Sequence, residues 1–367
     1  MRIAMVGTRG VPARYGGFET AVEEVGSRLA VRGHEVVVLC RGSDQDLAAH
    51  RGMTLVHLSA LRKRSLETMS HTILSVRYLR RQPRWDAVFL FNAANAFALP
   101  MLASITAGTA LHVDGLEWKR SKWGRLGKTW YLLMERYGAG HADRLIADAR
   151  GIQQYYRERY GVPSVFIPYG APLIDRSAPR FLGARGLASG DYDLVVARLE
   201  PENHTDLALE AHLATDRAVP LVVVGSVPYE SAYSRRLGAL ADSSESIRML
   251  GGVWDADELD ELYAHCRVYI HGHSVGGTNP SLLRAMGAAA PTVALDVVFN
   301  REVLGATGRY FRDASSLAAL LAEPARGPEE WSALGAAARE RVAHEYDWER
   351  VTDDYEALAV SLAEGSA

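Results

Sequence analysis

The chain has 367 residues, 48% of them hydrophobic and 23% charged, a globular mix with length for two or three domains and sizeable cores. That balance excludes collagen-like, disordered and disulfide-rich classes, and two cysteines, Cys40 and Cys266, are too few for a disulfide framework or a cysteine zinc site and fit a reducing compartment. The net charge of −3 conceals a split: residues 1–184 hold 26 Lys plus Arg against 15 Asp plus Glu, while residues 185–367 hold 15 against 29 and contain no lysine, which predicts two domains facing different partners.

The amino terminus, MRIAMVGTRG, does not read as a signal peptide. Residues 3–7, 35–40, 54–58, 87–91, 109–113, 144–147 and 165–167 read as buried strands, with helical periodicity between them, as over 19–32. Residues 87–111 carry no charge over 25 positions, but Asn92, Asn95, Pro100 and Gly108 interrupt an apolar helix. A strand, a helix and another strand explain the stretch better than a membrane span. Turn residues then cluster from Pro168 to Gly190, and the domain linker is expected there. The pattern restarts with strands at 193–197, 221–225, 247–250, 268–271 and 291–295, alternating with helices at 206–213, 255–265 and 280–288. Residues 329–362 read as helical, with Trp331, Trp348 and Tyr355 spaced for packing. The expected fold class is α/β, two Rossmann-like doubly wound domains facing a cleft, with ligands beyond the carboxyl ends of the strands.

Four stretches are equipped for chemistry. GTRGVPARYGGFE (7–19) follows the first strand. Its glycines miss the G-x-G-x-x-G fingerprint, and a long turn explains them without function. Gly16 and Gly17 just ahead of a helix favour phosphate or sugar contact by helix-terminal N–H groups. HVDGLEW (112–118) ends another strand, where Asp114 or Glu117, with His112 behind, would accept a proton from a sugar hydroxyl or orient it; Asp114-Gly115 also suits a plain turn. Beyond it Trp118, Lys119, Arg120, Lys122, Trp123, Arg125, Lys128, Trp130 and Tyr131 interleave aromatic and basic residues. Single-stranded nucleic acid, an anionic membrane surface and a solvated charged helix are all compatible with that pattern.

VVARLEPENH (195–204) puts Arg198 at a strand end before a helix that Asn203 would cap. An arginine there forms bidentate bonds to a diphosphate, or pairs at the surface with Glu200 or Glu202. In YIHGHSVGGTNPSLLRAM (269–286), His271 and His273 have no third ligand nearby, which argues against metal. Gly276-Gly277 ahead of a helix opened by Asn279-Pro280-Ser281 reads as an anion or nucleotide cradle.

Together GTRGVPARYGGFET, DGLEWKRSKW, ARLEPENH, HGHSVGGTNPSLL and FNREV (299–303) resemble the family 4 retaining glycosyltransferases of the two-domain nucleotide-sugar type. More closely they resemble the bacterial rhamnosyltransferases of capsule and cell-surface polysaccharide assembly. The resemblance runs from Arg2 to about Leu358 and implies a GT-B fold. Residues 1–180 would hold the acceptor, 181–345 the nucleotide-sugar, and 346–367 a C-terminal helix packing back towards the first domain. It implies retention of configuration with no metal and no cofactor; the donor, dTDP-rhamnose ahead of UDP- or GDP-sugars, is a substrate. Asp114, Glu117 and Arg198 would be catalytic. Gly16, Gly17, Arg198, Asn203, His273, Gly276, Gly277, Thr278, Asn279, Ser281, Leu282 and Arg284 would lie on the donor side, and His112, Trp118 and Lys119 on the acceptor side.

With the basic residues of 60–84, the positive first domain fits a saccharide or polyprenyl-diphosphate-linked acceptor. The protein would then be cytoplasmic, at the inner face of the plasma membrane. A nucleic-acid partner is set aside because the second domain is acidic. Two positions depart from the broader family. Asn203 stands where a lysine is expected, and Arg284 where a ribose-binding glutamate is expected, a loss of about 1.5–3 kcal/mol if that bond is not replaced. Arg284 therefore motivates an alternative, a degenerate transferase serving as a scaffold, in which Arg284→Glu would restore nucleotide binding. A nucleotide-sugar 2-epimerase is the other, and it would need no acceptor.

Overall fold

The computed structural model describes residues 1–13, 16–42, 47–61, 67–113, 115–120, 123–215, 219–227, 230–323 and 327–365. They form two compact units, one of Met1–Tyr169 with Trp348–Ala367, the other of Gly170–Asp347.

The first unit is built on an eight-stranded sheet: β1 (Arg2–Val6), β2 (Glu35–Arg41), β3 (Ala49–His50), β4 (Met53–Leu58), β5 (Trp85–Phe91), β6 (Thr106–Val113), β7 (Arg144–Ala147) and β8 (Val165–Phe166). Their order is β3-β4-β2-β1-β5-β6-β7-β8, parallel except for β3 against β4. The central strands are buried over almost their whole length, which is why VVVLC and AVFLF are apolar throughout rather than alternating. Helices α1 (Gly17–Val31), α2 (Glu67–Leu79), α3 (Leu99–Leu102), α4 (Arg125–His141) and α5 (Arg150–Tyr160) connect them. The uncharged stretch resolves into β5, a 3₁₀ turn at Ala93–Ala98, α3 and β6. No helix among the described residues is long and apolar enough to cross a membrane.

The second unit has six parallel strands, β9 (Asp193–Val196), β10 (Leu221–Val224), β11 (Ile247–Gly251), β12 (Val268–His271), β13 (Thr292–Leu295) and β14 (Arg309–Phe311), in the order β11-β10-β9-β12-β13-β14. Around them run α6 (Thr205–Leu213), α7 (Ala232–Ala241), α8 (Ala256–His265), α9 (Pro280–Gly287), α10 (Val298–Leu304), α11 (Ala314–Leu321) and α12 (Pro328–Glu345). A bidentate pair fastens the entry of β9: Arg267 Nε and Nη2 donate to wholly buried Asp193 at 2.9 and 2.7 Å.

After α12 the chain leaves the second unit, and α13 (Trp348–Ala363) packs into the first. Tyr355 meets Phe89 edge-on at 5.1 Å, and Leu362 covers Gly108, where a Cβ would lie 2.8 Å from Leu362 Cδ2. Ion pairs from Arg28 and Arg32 on α1 to Glu349, and from Arg32 to Glu356, fix its other face. The stretch read as one helical tail is thus two helices interrupted around Tyr346, one in each unit.

Candidate functional site

Each sheet has a point where successive connections leave in opposite directions, and a parallel sheet holds its ligands beyond the strand ends there. In the second unit that point lies between β9 and β12. Their ladder covers only Val268↔Asp193 and Tyr269↔Leu194, so the strands part towards their carboxyl ends. Val196 O is taken instead by Ser281 Oγ (3.2 Å), in the first turn of α9. Asn279 caps that helix, its side chain accepting from Ser281 N–H at 3.0 Å.

The loop from β12 to α9 is tied down where it leaves β12. Ser274 donates its N–H (2.9 Å) and Oγ (3.0 Å) to Glu202 O, and Asn300 Nδ2 donates to His273 O and Leu295 O at 2.9 Å each. Gly272 allows the close approach of the two loops, because a Cβ there would lie 2.4 Å from Asn203 O. Gly276 has φ +142 and open space around it, a backbone that side-chain-bearing residues avoid. Gly277 and Thr278 are buried at the loop's base, and the Leu282 side chain belongs to the core.

Arg198 projects from the end of β9 and is exposed; its nearest carboxylate, Glu200, stands 3.8 Å away. Asn203 is almost wholly buried, and its Nδ2 donates to Arg198 O at 2.7 Å, so it holds the backbone from which Arg198 projects. His271 is wholly buried, its ring stacked on His273 at 4.4 Å, and burial pushes its pKa down to about 3. Arg284 turns to α8: its Nε lies 2.5 Å from Asp260 Oδ1, and Nη2 reaches Ala256 O at 3.4 Å.

In the first unit the corresponding point lies between β1 and β5, where β1 runs into the glycine loop and β5 into Asn92. Gly16 (φ +112) precedes α1, and Gly17 opens it against the Tyr169 ring. His112, near the end of β6, is wholly buried among Phe91, Tyr169 and Tyr355, with Phe18 edge-on; burial lowers its pKa to about 3 and keeps it neutral. Asp114 falls outside the described residues, as do Arg62, Lys63, Arg64 and Lys122 of the basic stretches.

Glu117 is mostly buried; Arg120 pairs with it at 2.5 Å and Trp123 Nε1 donates to it at 3.3 Å. Trp118 is half-buried, and the exposed Lys119 ammonium lies 5.6 Å from its ring centre. Tyr131, read from the sequence with the surface aromatics, is buried beside Trp123. Arg41 at the end of β2 and Asn92 complete this mouth, and sequence reasoning had singled out neither as a site residue.

Three comparisons bear on this arrangement. Residues 1–172 match the family described as Domain of unknown function (DUF1972), and residues 192–324 match Glycosyl transferases group 1. Among curated proteins, O-antigen chain mannosyltransferase B of Escherichia coli is 26% identical over 172 residues. That match spans 45% of this chain and 45% of the relative, under half the length of each.

Solved structures share the fold over the whole chain, at low identity. Sucrose-phosphate synthase from Thermosynechococcus elongatus superposes with a TM-score of 0.85 at 19% identity, covering 100% of both chains. HepE of Anabaena in complex with UDP gives 0.76 at 14% identity, covering 98% of this chain and 100% of that one. The fold is the GT-B fold. In the second unit, Asn300 is a supporting residue that sequence reasoning missed. It stands inside the FNREV motif, yet nothing in the motif says that its amide holds the His273 carbonyl.

Proposed function

We propose that the chain is a metal-independent, retaining glycosyltransferase. It moves rhamnose from dTDP-rhamnose to a saccharide or polyprenyl-diphosphate-linked saccharide during assembly of a cell-surface polysaccharide, at the cytoplasmic face of the membrane. The observation that carries the reading is the exposed, weakly paired Arg198 at the point where β9 and β12 part, in the same unit that bolts the α9 amino terminus to Val196 O. A guanidinium and helix-terminal N–H groups are the donors that a departing nucleoside diphosphate needs. The UDP held by the HepE structure and the O-antigen transfer named for the curated relative support a nucleotide-sugar reaction. The motif resemblance supplies the choice of rhamnose.

In this reading Arg198, with donors at 276–281, stabilises charge on the diphosphate as the glycosidic bond breaks. In the first unit, the N–H groups of Gly16 and Gly17 form a positive pole of their own. Asp114 orients the acceptor hydroxyl or takes its proton, and Glu117 contacts the acceptor or the donor sugar. Glu117 is engaged by Arg120 and Trp123, which fixes the direction of its carboxylate.

The test is calorimetric titration of dTDP, UDP and GDP, with and without EDTA, followed by turnover of dTDP-rhamnose. The expected result is EDTA-insensitive binding of dTDP that Arg198→Ala weakens ten- to a hundredfold, as loss of about 1.5–3 kcal/mol of charge-assisted bonding requires. No nucleotide binding, or binding indifferent to Arg198, refutes the reading.

A further inference from the structure

The first unit carries a cation that its own packing leaves unspent. Arg41 closes β2, its N–H donating to Arg9 O at 2.9 Å, while the N–H of Gly42 donates to Leu58 O at 2.9 Å. The side chain therefore leaves from the carboxyl edge of the sheet, two strands from β5. Its Nη2 reaches Gly7 O at only 3.4 Å, and its Nε is shielded from solvent without a hydrogen-bond partner.

Among the described residues two carboxylates are within electrostatic reach, and neither pairs with it. Glu19 accepts the N–H of Arg9 at 2.9 Å, and Glu67 begins α2. Burial holds the Arg41 pKa below the ordinary guanidinium range in spite of both, with the Arg9 charge acting the same way. His71, wholly buried on α2, is pushed down to about 4 by burial and then by the Arg41 charge. Tyr131 on α4 lies within electrostatic range of Glu117, Arg120 and Arg41 alike.

Taking a guanidinium out of water without a carboxylate partner is costly, and an unmade bond from a buried donor costs about 1–3 kcal/mol. Nothing in the packing of the described residues repays that cost. Every polar hydrogen of the group is a donor, held in a planar fork that matches two oxygens of one anion. We infer that Arg41 is the receptor for an oxyanion, a phosphate ester or a carboxylate, carried by the acceptor bound in the first unit. This rests on the transferase reading for the word acceptor, and the oxyanion site itself does not depend on it. The anion engages the guanidinium fork, replacing the long Nη2 contact to Gly7 O, and anchors the acceptor on the mouth that Glu117 shares. A neutral sugar lacks that charge.

The test uses the full chain carrying Arg198→Ala, which removes the cation of the second unit, at constant ionic strength. Inorganic phosphate and acetate are titrated calorimetrically into it and into the Arg198→Ala/Arg41→Gln double variant. Saturable binding that falls at least tenfold in the double variant is expected, with Arg41→Lys intermediate because it keeps the charge and loses the fork. Preference for phosphate or for acetate separates the two sources. Equal titrations, or no saturable binding to Arg198→Ala, overturn the inference.

Thermal melting supplies an independent arm. In anion-free buffer Arg41→Gln is expected to melt at or above the wild type, and phosphate to raise the melting temperature of the wild type more than that of the variant. A variant that melts lower, or does not fold, marks Arg41 as structural and also overturns it. Titration of dTDP and UDP into Arg41→Gln reports the nucleotide site separately. Silence there with phosphate binding intact in Arg198→Ala sinks the transferase reading alone.

Discussion

Arg284→Glu sets a second carboxylate against Asp260. The wild-type pair joins α9 to α8 with Nε 2.5 Å from Oδ1, and the two side chains are only 28% and 26% exposed. Removing it forfeits a partly shielded ion pair, and the new glutamate repels Asp260. At 4 Å that repulsion amounts to about 1 kcal/mol in water and about 4 at the effective dielectric of a protein surface. The substitution also brings negative charge to the carboxyl-terminal half of α9, against its dipole, for about 0.3–1 kcal/mol more. Together these predict a loss of about 2–4 kcal/mol in urea unfolding of the full chain. The charge swap Asp260→Arg/Arg284→Glu should recover more than half of it, giving a coupling above about 1 kcal/mol in the double-mutant cycle. A single variant as stable as the wild type, with additive effects in the cycle, would refute the argument. The outcome bears on function, because a restored ribose carboxylate has to outweigh this cost. The swapped pair, not the single variant, is the fair background for asking whether a carboxylate at this position of α9 improves nucleotide binding.

Glu135 lies buried on α4, accepting from Tyr155 and Tyr160 hydroxyls at 3.0 and 3.3 Å, and burial still pushes its carboxyl up to about 7. Its folded-state pKa exceeds the unfolded value, so its contribution to stability is greatest below pH ~4.5 and falls as pH rises through about 7, by about 3 kcal/mol in all. Urea unfolding at pH 5 and pH 8 should show that dependence flattened in Glu135→Gln; parallel curves for the two proteins would refute it. Gly272→Ala drives a Cβ into Asn203 O. It should lower both stability and nucleotide affinity, whereas a melting temperature and titration matching the wild type would mean that the loops part freely.

The fold was legible because parallel strands buried on both faces must be apolar runs, and VVVLC, AVFLF and LVVV are such runs. β14 escaped notice because RYF has three residues and a leading arginine. The break between α12 and α13 carries neither glycine nor proline, so the residues read as one helical stretch, and the return of 346–367 to the first domain came from the family resemblance. The loops of the second unit were readable as Gly-Gly-Thr-Asn-Pro ahead of a helix. What sequence could not convey was direction. Nothing in HVDGLEW says that His112 points into a ring of aromatic side chains, or in LLRAM that Arg284 points to α8. Arg41 was invisible for a stronger reason: its significance is a missing partner, which exists only once the chain is folded.

The lysine-free second unit poses a related question, since the broader family pattern places a lysine where Asn203 stands. The substitution Asn203→Lys looks like a simple restoration, and the structure argues against it. Asn203 is 2% exposed, its amide donates to Arg198 O at 2.7 Å, and its own carbonyl lies against Gly272. A lysine there would lose the bond that fixes the Arg198 backbone and would need to bury an ammonium or swing the 201–203 turn outward. The first costs several kcal/mol, and the second breaks the contact that keeps the two loops together. Asn203→Lys should therefore unfold at lower urea and bind nucleotide no more tightly than the wild type. If it is as stable and binds more tightly, the turn is free to move and Asn203 is a missing cation. Otherwise the site has settled on one guanidinium whose backbone is held by a neutral amide, with helix-terminal N–H groups supplying the rest of the positive charge.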